Sequence, residues 1–327
     1  MNTNMIEQSR RLYEQGVAPM IRRKFPEYES RIAAGMAGEG SDCFGYDDRI
    51  SQDHDYGVGV CLWLTDEDAK QIGSALQSAY QQAAAMWLSG NRAAGASPEG
   101  QSGRLHHLHQ RRGAQTIRQF YYTNLNVMID PAEPVVTDGI WFYTDEWRFA
   151  AAVNGAVFRD DLGQFTRIRE LLLRYYPDRI WRMRLANALH NYASAMQANY
   201  ARCMARKDPV AAAFCKTRSI DAAMDILFLV RRRFAPYYKW KFRAFQELEG
   251  SGELAELLAK AAVMEPDPSA WEDHEYSSLR INEKDPLVML FEKIAALLVR
   301  ELKDAGLTDS SEVFLEAHCG KVSAGIR

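Results

Sequence analysis

The chain has 327 residues, 47% hydrophobic and 25% charged. This ordinary globular composition excludes disordered, collagen-like and repeat-biased classes, and at about 150 residues per domain the length points to two domains. With 40 basic residues against 43 acidic the net charge is −3, so no global basic field exists to hold nucleic acid without reading its sequence.

Residues 4–24 read as an amphipathic helix with Met5, Leu12, Val17 and Ile21 on its apolar side, kinked or broken at Pro19. The N-terminus is polar and acidic where a signal peptide needs an apolar stretch. A short apolar stretch over 31–37 ends in glycines and is a candidate strand. A loop rich in Gly and Asp spans 38–53, and residues 55–64 read as a buried strand. Thr65 looks like an N-cap, with Asp66, Glu67 and Asp68 in the first turn of a helix reaching about Leu88. Residues 89–114, rich in Gly and Ser, read as a flexible loop, and loops of that length are functional or disordered. Residues 116–122 read as a third strand or a strand-to-helix passage; Pro131, Pro134 and Gly139 close the first unit.

After about residue 146 strand signals fade and helical periodicity takes over, at 164–176, 179–206, 208–232, 238–249, 252–264 and 285–305. The expected fold class is α+β: a mixed α/β domain over 1–146, then an all-helical domain over 147–327. Five cysteines, none in a CxxC pair, fit reduced, mostly buried thiols in a cytoplasmic protein. The longest apolar run, residues 222–230 interrupted by Asp225, falls far short of the ~20 residues that span a bilayer. No membrane partner is expected.

The chemistry concentrates between Gly38 and Gly57. Gly40-Ser41 follows a candidate strand, and Asp53-His54-Asp55 leads into another. Glycine at 40 permits the close backbone approach that a phosphate needs. The Ser41 hydroxyl and neighbouring N–H groups can donate to phosphate oxygens. Asp53 and Asp55 are two apart, so on a strand they share a face. Their repulsion is relieved by a divalent cation, and oxygen-only ligands suit Mg²⁺ or Mn²⁺ rather than zinc. Phosphate donors beside paired carboxylates are the parts of metal-assisted nucleotidyl or phosphoryl transfer.

On Gly40, Ser41, Asp53 and Asp55 the sequence resembles the nucleotidyltransferase superfamily that includes kanamycin nucleotidyltransferase and DNA polymerase β. More narrowly it is similar to an uncharacterised bacterial branch of that superfamily, which also carries a segment like Arg232 to Trp240. The likeness covers roughly residues 30–65 and 145–245. It implies a palm domain carrying the metals and a helical domain that closes over the nucleotide. Asp53 and Asp55 would be catalytic and hold Mg²⁺ or Mn²⁺ with the triphosphate. Gly40 and Ser41 would bind phosphate, and a hydroxyl would attack the α-phosphorus of ATP or another NTP, taking AMP in the ATP case and releasing pyrophosphate. The superfamily often places a third carboxylate on a following strand; by the resemblance that position falls near Gln115, which cannot take a proton.

Each signal has a plainer alternative. A DxD beside glycines also describes a turn, but the full pattern before a buried strand is more specific. Asp47 and Asp48 fit a solvated turn or cap better than a second metal site. His54 on a strand faces away from the aspartates. His106, His107 and His109, with Arg104, Arg111 and Arg112 around them, lie in the flexible segment; they suit a loop meeting an anion, or a plain solvated loop, better than zinc. Lys239, after the break at Pro236, is a candidate triphosphate contact, with Tyr237 or Trp240 for stacking. Arg231, Arg232 and Arg233 read as a solvated face, Asp160 as a cap, and Leu287, Leu290, Ile294, Leu297 and Leu298 as a packing stripe.

Three functions follow. The first is a metal-dependent nucleotidyltransferase with a hydroxyl acceptor on a small molecule or protein. Nothing suggests a nucleic-acid acceptor, since no basic track with interleaved aromatics is present. The second is a catalytically impaired nucleotide-binding regulator, motivated by Gln115. The third is an interaction protein on a decayed fold.

Overall fold

The computed structural model describes residues 4–46, 48, 50, 57–91, 112–272, 276–277 and 280–324. Internal contacts divide the chain into two compact units, Met1–Arg174 and Tyr175–Arg327.

The first unit is a four-stranded mixed sheet packed with helices. Helix α1 (Met5–Leu12) is capped by Asn4, whose Oδ1 accepts the Ile6 N–H at 2.8 Å. A π-helical turn, Tyr13–Val17, joins it to α2 (Ala18–Lys24). Pro19 sits in the first turn of α2, where a missing N–H costs nothing; the irregularity expected at the proline is the π turn before it. Strand β1 (Ala33–Met36) runs antiparallel to β2 (Cys61–Leu64), with Gly35 opposite Cys61. Helix α3 (Asp66–Gly90) follows at once, with Thr65 Oγ1 accepting the Asp68 N–H at 3.1 Å as the sequence predicts. Strand β3 (Gly113–Thr116) lies parallel to β2 and runs directly into α4 (Ile117–Leu125).

Two short helices, α5 (Asp138–Tyr143) and α6 (Glu146–Val153), precede β4 (Ala156–Arg159), which pairs antiparallel with the free side of β1. The strand order is β3-β2-β1-β4. Helix α7 (Gln164–Leu173) ends the unit. The division after Arg174 differs from the one expected after 146, because β4 completes the sheet and Phe165 of α7 packs on β2.

One sheet face carries Ala34, Leu62 and Leu64, buried with Leu12, Val17 and Ile21 of the N-terminal helices and Ile72, Leu76 and Tyr80 of α3. On the other face Trp63 packs with Phe120 and Phe165. Gly35 is required there: a Cβ would stand 2.5 Å from the Ala156 carbonyl oxygen and 2.8 Å from the Trp63 ring.

Among its described residues the second unit has helices and connecting loops but no strand. Helix α8 (Asp178–Tyr192) continues through a π-helical segment, Ala193–Tyr200, into α9 (Ala201–Ala205). Then come α10 (Pro209–Val230), α11 (Tyr238–Gln246), α12 (Gly252–Val263) and α13 (Pro286–Asp304). In α13 Leu287, Leu290, Ile294 and Leu298 are buried as predicted and Leu297 is half-buried. A short α14 (Glu316–Ser323), not anticipated from the sequence, packs on α8, where the Cys319 thiol donates to the Ala186 carbonyl at 3.3 Å. Among the described residues no helix is long and apolar enough to cross a membrane.

Candidate functional site

The antiparallel pairing of β1 with β2, and the parallel pairing of β2 with β3, bring three chain segments to one end of the sheet. They are the exit of β1, the entry to β2 and the entry to β3. The turn after β1 is fixed from behind: the Gly38 N–H donates to Asn154 Oδ1 at 2.9 Å, and Asn154 Nδ2 donates back to the Gly38 carbonyl at 2.7 Å. Gly40 has φ +118°, a backbone conformation that side chains rarely allow. It turns the chain into a single 3₁₀ turn, Ser41–Phe44, closed by Cys43 N–H to Gly40 O (3.1 Å) and Tyr46 N–H to Ser41 O (2.9 Å). Ser41 is 7% exposed and Asp42 is fully buried.

Asp42 anchors this turn. Its Oδ2 accepts from Arg112 Nη2 at 3.2 Å and from the Gly57 N–H at 3.3 Å. Arg112 also donates to the Ala37 carbonyl at 3.5 Å and stands 3.2 Å from Cys43 Sγ. Burial opposes the charge of Arg112, and Cys43, Asp42 and Cys61 around it more than offset this, holding its pKa well above the usual value. The expectation of Arg112 as a loop cation meeting an anion is therefore corrected: it is buried and its anion is Asp42. Sequence reading missed this pair because its members lie far apart and a charged side chain gives no local sign of burial.

Asp53, His54, Asp55 and Asp47 lie outside the described residues, as do Arg104, His106, His107, His109 and Arg111. Asp48 is half-buried, and its N–H donates to the Tyr46 carbonyl at 3.0 Å, as expected of a turn. Gln115 lies on β3 opposite Trp63 and is half-buried. No group of three or more His, Cys, Asp or Glu suited to a metal occurs among the described residues. Oxygen donors are nevertheless what the turn offers: Asp42 Oδ1 is buried beside Ser41 with no hydrogen-bond partner among them. The expected cation ligands Asp53 and Asp55 lie 11 and 13 residues further along the chain, outside the described residues; paired carboxylates as a residue type suit Mg²⁺ or Mn²⁺ rather than zinc.

In the second unit Lys239 is exposed, its Nζ 5.7 Å from the Trp240 ring. Tyr237 is 43% exposed and leans on Tyr238, ring centroids 4.5 Å apart. The neighbouring Lys241 is buried, paired with Asp221 at 2.5 Å and Asp225 at 2.6 Å. The arginines read as a solvated face are in part structural. Arg231 pairs with Glu301 at 2.5 Å; Arg232 lies 3.8 Å over the Trp181 ring and reaches Asp178. Asp160 is a cap, its Oδ2 accepting the Thr166 N–H at 2.8 Å.

Together these features define a mixed α/β unit with a glycine-bent Ser turn at the end of its sheet, followed in the chain by a helical unit. A family model described as a domain of unknown function (DUF4037) matches residues 141–241, from α5 in the first unit to α11 in the second. No curated protein and no solved structure matches the chain.

Proposed function

We propose that the protein is a metal-dependent nucleotidyltransferase that moves a nucleoside monophosphate, AMP in the first instance, from an NTP to a hydroxyl acceptor on a small molecule or protein. The observation that carries this reading is the hydrogen bond from the Gly57 N–H to Asp42 Oδ2. It ties the chain two residues beyond Asp55 to the residue next to Ser41. A phosphate-binding turn and a carboxylate pair serve one reaction only if they converge, and this bond supports convergence.

In this reading Asp53 and Asp55 hold Mg²⁺ or Mn²⁺. A cation held there would supply charge neutralisation at the triphosphate and polarisation of the α-phosphate. Ser41 and the N–H groups after Gly40 take the β,γ-phosphates, so that pyrophosphate leaves into donors already in place. The acceptor hydroxyl oxygen attacks the α-phosphorus, its proton passing to solvent, and the bond from the α-phosphorus to the α,β-bridging oxygen breaks, so that pyrophosphate leaves. Lys239 and Tyr237 on the helical unit stay candidates for triphosphate and stacking contacts on the strength of the resemblance alone.

The test is pyrophosphate release and label transfer from each α-labelled NTP with Mg²⁺ or Mn²⁺, with cell extract as acceptor source. Release lost in the Asp53→Asn, Asp55→Asn double variant supports the transferase; equal release in that variant overturns it. Gln115, in place of a third carboxylate, favours a second reading, a nucleotide-binding regulator. Saturable NTP binding without any product is its signature.

A further inference from the structure

Arg112 is where four stretches of the first unit meet. Its guanidinium reaches the end of β1 at the Ala37 carbonyl, the Ser41 turn at Asp42 and Cys43, and the entry to β2 at Cys61 Sγ, 4.0 Å away. Arg112 itself leads into β3. Gly59 lies so close that a Cβ there would stand 2.7 Å from Arg112 Cγ. The side chains of Arg112 and Asp42 are 3% and 0% exposed.

Stability alone does not explain this pair. Two buried charges carry a large desolvation cost, and an apolar pair of similar volume is often as stable or more so. Nor is the pair fully satisfied, since Asp42 Oδ1 and Arg112 Nε lack hydrogen-bond partners among the described residues. A partly satisfied buried network is poor for stability. What it supplies is direction: a planar fork held in one orientation fixes every group it touches.

We propose that Asp42 and Arg112 form a buried positioning pair that holds the Ser41 turn in one orientation and ties it to the chain at Gly57. What the turn binds rests on the nucleotidyltransferase reading; the pair's hold on the turn does not. Arg112 orients the turn through Asp42, and Asp42 orients the Gly57 amide through its Oδ2. The oxygen left free, Asp42 Oδ1, stays buried beside Ser41.

The experiment uses the full chain and two variants. Asp42→Leu with Arg112→Met removes both charges and keeps an apolar filling; Arg112→Lys keeps the charge and loses the fork. Hydrogen exchange is followed at the Cys43, Tyr46 and Gly57 amides, with the buried Val60 amide, bonded to Tyr80 Oη at 3.0 Å, as internal control. Binding of Mg·ATP is measured by calorimetry on the same samples. Both variants are expected to exchange faster at the three amides while Val60 stays protected. Mg·ATP affinity is expected to fall by about 10- to 100-fold, the usual effect of losing an outer support of a metal site. Unchanged exchange at the three amides in either folded variant overturns the positioning role. So does wild-type Mg·ATP affinity in both variants. If the wild-type chain binds no nucleotide, the transferase reading fails and the exchange result still decides the role of the pair.

Discussion

Trp63 lies flat against Phe165, their ring centroids 3.7 Å apart and their planes 15° from parallel. Phe120 meets both rings, at 5.4 Å from Trp63 and 5.0 Å from Phe165, and Tyr121 Oη donates to the Phe165 carbonyl at 3.0 Å. Helix α7 thus covers the face of β2 turned away from α3. Removing Phe165 leaves a cavity against fully buried neighbours. Phe165→Ala is expected to destabilise the first unit by about 3–5 kcal/mol, read as a lowered urea midpoint. A chain ended after residue 146 lacks both β4 and α7, and is expected to unfold without a cooperative transition. Cooperative unfolding of that fragment would show the two elements to be dispensable.

Lys241 carries the second prediction. Burial works against its charge, and Asp225 and Asp221 more than offset this, so its pKa lies above the usual lysine value. A raised folded pKa means a contribution fully present below the unfolded value, about 10.4, and lost as pH rises through the folded one. Burial also raises Asp225, against the pull of Lys241. That shift favours the folded state below the unfolded aspartate value, about 3.9, and its benefit is lost as pH rises past the folded value. Lys241→Met leaves both carboxylates without their cation. Because Asp225 is half-buried and Asp221 exposed, the expected cost at pH 7 is about 2 kcal/mol, less than the ~3–5 for a fully buried pair. Part of this should return as pH falls towards 4 and Asp225 takes a proton. Urea midpoints of wild type and variant across pH 4–11 test both limbs.

The cysteines give a third. Cys43, Cys61, Cys203 and Cys215 are buried and Cys319 is half-buried. Burial pushes the Cys215 thiol up to about 12 and the Cys319 thiol up to about 11. The thiolate is the reactive form. Iodoacetamide at pH 7.5 is therefore expected to label Cys215 and Cys319 of the native chain at least about 100-fold more slowly than free cysteine. All five thiols should react in urea. Fast labelling of a native thiol, identified by peptide mapping, would contradict the buried arrangement.

What the sequence made legible follows from the range of each signal. The start of α3 was readable because Thr65 and the acids after it act within one turn. The stripe of α13 was readable because its period is local. The Gly40–Ser41 turn was readable because a glycine followed by serine after an apolar stretch is a local pattern. Strand β4 was not: Ala156–Arg159 is four half-buried residues at a sheet edge, and only its distant partner β1 makes it a strand. The Asp42–Arg112 pair is the same case at the site. Its local sequence describes a turn and a loop cation; burial of both comes from the packing of three strand ends.

Gln115 yields the last prediction. It stands on β3, which enters the sheet from Arg112 and therefore at the same end as the Ser41 turn. Its carboxamide neither accepts a proton nor contributes negative charge to a cation site. On the nucleotidyltransferase reading proposed above, a carboxylate in its place would do both, and general-base assistance is worth about 10²–10⁴ in rate. Gln115→Glu is expected to raise pyrophosphate release from Mg·NTP about 100-fold, with Asp53→Asn in the same chain cancelling the gain. The comparison is a rate measurement on wild type, the single variant and the double variant. No gain on a folded Gln115→Glu chain would mean that β3 does not carry the third acidic position, and that a base, if the reaction uses one, comes from another element.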